Sequence, residues 1–247
     1  MKVVQATVLK AGTRFALALF VLSMILFLPA ARAGSTITLT SPNALAGGHF
    51  GESVSVSGTT VVVGAPDESA GGQDSAGNAY VFDATDGSFI TELTSPTPQA
   101  GGEFGFSVSI SGTTVVVGAP GEMVGPLLQA GHAYVLDAST GASITTLTSP
   151  YAQAYGHFGY SVAVGSTTVV VGAPDETAGG QLGAGHTYTF DATTGFMITT
   201  LTSPNPQEGG FFGGSVAVTE DDPIVVVGAA GESGGGYPIA GHAYIFF

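Results

Sequence analysis

Cysteine is absent from the 247 residues, and lysine and arginine disappear after Arg32. The first absence excludes disulfides, thiolate metal sites and thiol catalysis. The second leaves residues 34–247 with all 18 carboxylates of the chain and no basic side chain other than histidine. Phosphates and nucleic-acid backbones are held mainly by Lys and Arg, so unaided sites for them are excluded there. Schiff-base chemistry and arginine clamps are excluded with them. A capped helical pattern is missing too, because no stretch of residues 34–247 has apolar residues at a 3.6-residue period.

What is present begins with a leader. Lys2, Lys10 and Arg14 precede an apolar run from Phe15 to Leu28 broken only by Ser23, and Ala31-Arg32-Ala33 follows it. A basic stretch, a short apolar stretch and a small-residue cleavage site read as a secretory signal over residues 1–33, with a mature domain over 34–247. The alternative is an uncleaved anchor, for which the run falls short of the about 20 apolar residues that cross a bilayer. Without cysteine the mature domain must be held by its core, and a domain of that length can bury one.

The mature chain repeats itself. Phe-Gly stands at Phe50, Phe104, Phe158 and Phe212, 54 residues apart each time. Gly-Ala-Pro follows at Gly64, Gly118 and Gly172, with Gly228-Ala229-Ala230 as the fourth version. Leu-Thr-Ser-Pro starts at Leu39, Leu93, Leu147 and Leu201, and Ala-Gly-x-x-Tyr ends at Tyr80, Tyr134, Tyr188 and Tyr244. A fixed period of this length marks a repeat architecture. Within the first unit, Ser53–Val56, Thr59–Val63, Asn78–Phe82 and Phe89–Thr94 read as strands separated by turn residues, the second as a strand buried on both faces. The fold class is all-β.

The chain ends suggest how the units close. Thr36–Thr40 matches a fourth strand, since Leu39 aligns with Leu93, whereas the C-terminus stops at a third strand, since Tyr244 aligns with Tyr80. An N-terminal strand completing the C-terminal blade would close a four-bladed propeller and hide its edges. The alternative is two chains pairing into a larger ring.

Phe-Gly followed by Gly-Ala-Pro in register four times resembles the FG-GAP repeat, and the chain is similar to the propeller at the head of integrin alpha subunits. The resemblance implies an extracellular adhesion-type domain that meets ligands with the loops joining strand 4 to strand 1 and strand 2 to strand 3. It also implies a calcium loop, Asp-x-Asp-x-Asp-Gly, between strands 1 and 2. Here that connection is Ser57-Gly58, Ser111-Gly112 or Gly165-Ser166, without a carboxylate. Only the fourth unit lengthens it, to Thr219-Glu220-Asp221-Asp222-Pro223, a turn too short to surround a cation and expected to be a solvated acidic turn.

Several repeated polar residues are candidates for a site. Asp83, Asp137 and Asp191 each open an Asp-x-x-x-Gly turn and are expected to bond their own backbone. Glu68, Glu122, Glu176 and Glu232, just after Gly-Ala-Pro, are expected to form an acidic ring on one face, either solvated or binding calcium or cationic groups. Asp67, Glu68, Asp74, Asp175 and Glu176 are its metal candidates. His132, His186 and His242 share one position with Asn78 and are expected to bond a loop carbonyl. No Ser-His-Asp spacing stands out.

The residues that vary between units point to binding. Tyr151, Tyr155, His157 and Tyr160 place four rings within ten residues, and Met123, Leu127, Leu128 and Tyr237 fall on the same expected face. Apolar and aromatic loops on a rigid scaffold suit partner recognition. The expected function is a non-catalytic binding or adhesion module, secreted or at the cell surface, with an extracellular protein or glycan as partner and no cofactor assigned. A monomer is expected, with a homo-oligomer as the alternative. A self-associating envelope protein and a secreted hydrolase are the rival readings.

Overall fold

The structure, a computed structural model, describes residues 36–221 and 223–247; the leader over residues 1–33 lies outside the described residues. The chain divides into two units, residues 1–38 and 39–247. In the first, the described residues Thr36–Thr38 form no strand. The second is all-β, with no helix among the described residues, and none that is long and apolar enough to cross a membrane.

Four antiparallel sheets follow one another along the chain. The first is β1 (Val54–Ser57), β2 (Thr60–Ala65), β3 (Asn78–Asp83) and β4 (Phe89–Thr94). The second is β5 (Ser107–Ser111), β6 (Thr114–Ala119), β7 (His132–Asp137) and β8 (Ser143–Leu147). The third is β9 (Ser161–Val164), β10 (Thr168–Ala173), β11 (His186–Asp191) and β12 (Met197–Thr202). The fourth has three strands, β13 (Phe212–Val218), β14 (Val225–Ala229) and β15 (His242–Phe246). Each sheet runs in chain order from strand 1 outward, as blades of a propeller do.

The β-branched runs of β2, β6 and β10 are largely buried because apolar side chains pack on both faces of each of these strands. One core joins Val62, Val81 and Leu93 of the first blade to Val115, Val117 and Leu136 of the second. The next joins Val116, Val135 and Leu147 to Val169, Val171 and Phe190, and a third carries Ala163 and Val170 onto Val225 and Val227. At these three boundaries the leading face of one blade packs on the trailing face of the next.

The two glycine motifs meet across these boundaries. A Cβ on Gly64, Gly118 or Gly172 would lie 2.0, 1.9 or 2.0 Å from the carbonyl oxygen of Gly105, Gly159 or Gly213. The same oxygens accept from the hydroxyls of Ser53, Ser107 and Ser161 at 2.7–2.8 Å. Glycine in Gly-Ala-Pro therefore lets the Phe-Gly backbone of the next blade approach, and serine on the innermost strand anchors it.

The lengthened turn of the fourth unit is not merely solvated. Glu220 accepts a hydrogen bond from the Ser111 hydroxyl of the second blade, and its carbonyl accepts from Ser166 N–H and Oγ of the third at 2.9 and 2.6 Å. Gly165, where the first two units have serine, leaves room for the Thr219 carbonyl 2.4 Å from its would-be Cβ. The turn crosses between blades, which explains both the insertion and the exchange of Ser-Gly for Gly-Ser.

The expected closing strand is not formed. Among the described residues, Thr36–Thr40 has no strand pairing, and β15 pairs only with β14. Leu39 nevertheless packs on the trailing face of the first blade beside Tyr80 and Phe82, as Leu93 packs beside Tyr134 one blade on. The outer edge of β15 is not paired with the Leu39 segment, so the four sheets remain unclosed.

Candidate functional site

The glutamates after Gly-Ala-Pro do not form an acidic ring on the surface. Glu68, Glu122, Glu176 and Glu232 are fully buried. Each carboxylate accepts a hydrogen bond from a tyrosine hydroxyl, of Tyr80, Tyr134, Tyr188 and Tyr244 respectively. His132, His186 and His242 place Nδ1 2.9, 3.0 and 3.0 Å from the same oxygens, where Asn78 Nδ2 donates at 3.3 Å in the first blade. The histidines face glutamates rather than the expected loop carbonyls. Ser95 and Ser149, from the Leu-Thr-Ser-Pro of the preceding blade, donate to Tyr134 and Tyr188 at 3.1 and 3.0 Å. A buried charge persists only when paired and hydrogen-bonded, so each glutamate is a polar rivet between neighbouring segments.

These rivets give the fold an alkaline limit. Burial and the bond to Glu68 push the Tyr80 phenol from its usual 10 up to about 12, and burial with the adjacent glutamate raises Tyr134, Tyr188 and Tyr244 as well. A folded-state value above the unfolded one means that the native chain keeps protons the unfolded chain has released, so stability falls as pH rises through that window. Urea midpoints measured from pH 9 upward should decline steadily between about pH 10 and 12, the interval set by the Tyr80 shift. A flat profile would show that the phenols are not held in this way.

The metal candidates are dispersed into local pairs. Asp67 accepts from His49 at 2.5 Å, which raises the His49 pKa, and Asp175 lies 2.7 Å from Nδ1 of His157. Asp74 accepts weakly from Ser69 at 3.5 Å, while Glu68 and Glu176 are buried rivets. Among the described residues no three acidic or histidine side chains converge as metal ligands. Three of the connections between strands 1 and 2 lack a carboxylate and Glu220 is engaged by Ser111, so the residues present do not fit a calcium loop. The aspartate turns are as expected: Asp137 accepts from Ser139 and Thr140 and Asp191 from Thr193 and Thr194, bonds that lower both pKa values.

The variable loop residues Met123, Leu128, Tyr151, Tyr155, Leu182 and Tyr237 are exposed. Each connection between strands 2 and 3 is a miniature hairpin, closed by the pairs Ala70–Gln73, Val124–Leu127, Ala178–Gln181 and Gly234–Tyr237. The incoming loop of the next blade docks on it, as Tyr155 N–H does on Leu128 O at 2.7 Å and Gly209 N–H on Leu182 O at 2.8 Å. Tyr155 is thereby set between two grooves. One, of about 280 Å³, is lined by Met123, Leu128 and Tyr155; the other, of about 470 Å³, by Tyr155, His157, Asp175, Gln153 and Leu182.

Tyr155 is also strained. Its φ is +62°, at a place where the other units have Gly47, Gly101 and Gly209 with φ of +80°, +69° and +64°. The left-handed region costs a side-chain-bearing residue about 1–2 kcal/mol, and a bulky residue held there points to a use for the side chain. Gln153 differs likewise from its counterparts. Gln99 and Gln207 clamp the backbones of Met123 and Ser233, whereas the Gln153 side chain has no protein partner among the described residues and lines the groove.

The other predicted aromatics go elsewhere. Tyr151 is exposed and stacks on His186 at 5.6 Å. Tyr160 sits between Phe106 and Phe211, at 5.1 and 6.3 Å, in a ring cluster that links three blades. Tyr237 is exposed on its hairpin tip and lines neither groove. Sequence reasoning missed Leu182, Phe106 and Phe211; Leu182 had a signal, because it replaces Asp74 at the equivalent hairpin position.

The model for the FG-GAP repeat matches residues 34–82, 88–136, 143–190 and 198–246. The chain belongs to the FG-GAP repeat family. A search of curated proteins gives no match. Among solved structures, the crystal structure of the computationally designed Ika4 protein is similar with a TM-score of 0.52 and 19% identity, covering 87% of this chain and 98% of that one. That of the designed Ika8 protein has a TM-score of 0.48 and 19% identity, over 80% of this chain and 45% of that one. Likeness at this identity concerns fold alone. The FG-GAP repeat covers all four units, and the paired grooves lie around Tyr155, where this chain departs from the glycine of its other three units.

Proposed function

We propose that this FG-GAP chain is a non-catalytic binding module, secreted or displayed at the cell surface, that takes an extracellular protein or glycan on the loops around Tyr155. The observation that carries the reading is the strained Tyr155, shared by two grooves, where three other units have glycine. Met123, Leu128 and Leu182 offer apolar contact, Gln153 offers free amide donors, and Asp175 held by His157 offers an acceptor. Aromatic anchors flanked by a few polar groups suit sugar faces and protein side chains alike. The leader-like residues 1–33 agree with an extracellular role.

The test separates binding from folding. Tyr155→Gly restores the residue that the other units carry, so it should leave stability unchanged or raise it by up to about 1 kcal/mol. Binding of the labelled protein to panels of immobilised glycans and matrix proteins should fall at least about tenfold for the ligand retained by the wild type, the loss of a hot-spot aromatic. Equal retention of wild type and variant would overturn the site, and turnover of a panel member would overturn the non-catalytic reading.

A further inference from the structure

The two ends of the blade series are left uncovered, and they are complementary. On the trailing face of the first blade, Val54 and Val56 are 67% and 63% exposed, whereas Val108 and Ile110, one unit on, are 9% and 6% exposed. On the leading face of the fourth blade, Ile245 is 59% exposed where its counterpart Val135 is fully buried. Val226 and Ala243 lie beside Ile245 on that face, paired across β14 and β15. These end faces carry the same apolar pattern that joins every internal pair of blades.

The backbone repeats the message. At each internal boundary the Phe-Gly phenylalanine donates its N–H to an alanine carbonyl of the previous blade: Phe104 to Ala76, Phe158 to Ala130 and Phe212 to Ala184, at 2.8, 2.9 and 3.0 Å. The corresponding groups at the ends, Phe50 N–H and Ala240 O, have no such bond. Gly228 is the fourth counterpart of Gly64, Gly118 and Gly172, yet only Ser215 of its own sheet lies near its would-be Cβ. No neighbouring backbone presses on it, and the sequence keeps glycine.

The edge is prepared as well. Among the described residues β15 has an unpaired outer edge, beside an apolar groove of about 180 Å³ lined by Ile198, Leu201, Phe246 and Phe247. Family matching begins each later repeat at the fourth strand of the preceding blade, near β4, β8 and β12, and begins the first repeat at residue 34. Leu39 already occupies, on the first blade, the place that Leu93 takes on the second. It lacks the neighbouring third strand that Leu93 has in β3.

We propose that two copies of this chain join head to tail, the leading face and β15 edge of one copy covering the trailing face and Leu39 segment of the other, in a two-copy ring of eight blades. Within one chain all three internal boundaries are satisfied with the same contacts, and the ends still do not meet. Closing four blades on themselves would require each boundary to turn further, whereas a second copy extends the series by the same step. A heterologous contact that closes after two copies forms two identical interfaces, and eight blades lie within the propeller range. The contact would add Phe50 N–H to Ala240 O, Ser215 Oγ to Gly51 O, and a fourth strand beside β15.

Light scattering coupled to size exclusion on the full protein should give twice the chain mass over a wide concentration range. Val54→Lys alone and Ile245→Asp alone should each give the mass of one chain, since each places a charge against an apolar face at both interfaces. Mixing the two variants should restore the doubled mass, because one interface then pairs Lys with Asp and the other is wild type on both sides. A wild-type protein with the mass of one chain, with its ends closed on each other or free, overturns the proposal, and so does a series of larger polymers. Failure of the mixture to exceed one chain mass while both variants keep the wild-type circular dichroism spectrum also overturns it. Tyr155→Gly, on the loop face, should leave the mass unchanged, so this result and the fate of the binding site are read separately.

Discussion

Tyr134→Phe should destabilise the protein by about 2–3 kcal/mol, the worth of a hydrogen bond to a charged group in a buried site. The substitution removes one oxygen and leaves the ring in place, so the cost comes from Glu122, whose carboxylate is fully buried and takes its bond from the Tyr134 hydroxyl. Ser95, which donates to that hydroxyl, loses its acceptor at the same time. The repeat supplies its own control. Tyr244→Phe removes the equivalent bond to Glu232 at the end of the series, where Tyr244 is only partly buried and Ser203 also donates directly to the same glutamate. Its cost should be about 1 kcal/mol, near that of an ordinary hydrogen bond. Urea unfolding of the two variants at neutral pH measures the difference. Equal midpoints would mean that the rivets do not depend on burial.

Those rivets mark the limit of what the sequence showed. The 54-residue period, the all-β class and the aspartate turns were legible because they rest on local signals: a motif recurring in register, β-branched runs, and a carboxylate bonding N–H groups two and three residues on. The fate of the glutamates was not. A glutamate opening a loop normally faces water, and its partner here comes from a strand 12 residues later, on Tyr134, which in turn accepts from Ser95 of the preceding blade. They converge only after β6, β7 and the end of β4 have packed. The complementary chain ends were legible as well, but strand matching alone does not say whether the complement lies in the same copy. In the binding loops, the cluster of tyrosines was visible while their roles were not: Tyr160 joins an interblade ring cluster and Tyr151 stacks on His186, leaving Tyr155 between the grooves. The signal for Tyr155 was in the register, as a tyrosine standing where three units have glycine.

Gly118→Ala should be strongly damaging for so small a substitution, because it strikes the boundary that the repeat is built to form. A methyl group there would lie 1.9 Å from the carbonyl oxygen of Gly159 and 2.4 Å from the Ser107 hydroxyl. The serine can rotate, although it would surrender its 2.8 Å bond to the same carbonyl. Gly159 cannot, since it is backbone fixed at φ +91° and pressed between neighbouring blades. The second and third blades must therefore separate, which opens the core shared by Val116, Val135, Val169 and Val171. Overpacking of a well-packed core costs about 1–3 kcal/mol, and displacement of backbone places this site at about 3 kcal/mol or more. Gly228→Ala makes the same chemical change at the fourth counterpart, where Ser215 Oγ at 2.3 Å is the only close neighbour. Within one chain it should cost less than about 1 kcal/mol, the scale of a side-chain rotamer adjustment. A second copy packed on that face would bring its Gly51 carbonyl to the position that Gly159 takes against Gly118. Gly228→Ala should then keep the fold and its melting temperature at the level of an isolated chain while halving the mass in solution, a combination that neither a purely local clash nor a free end would produce.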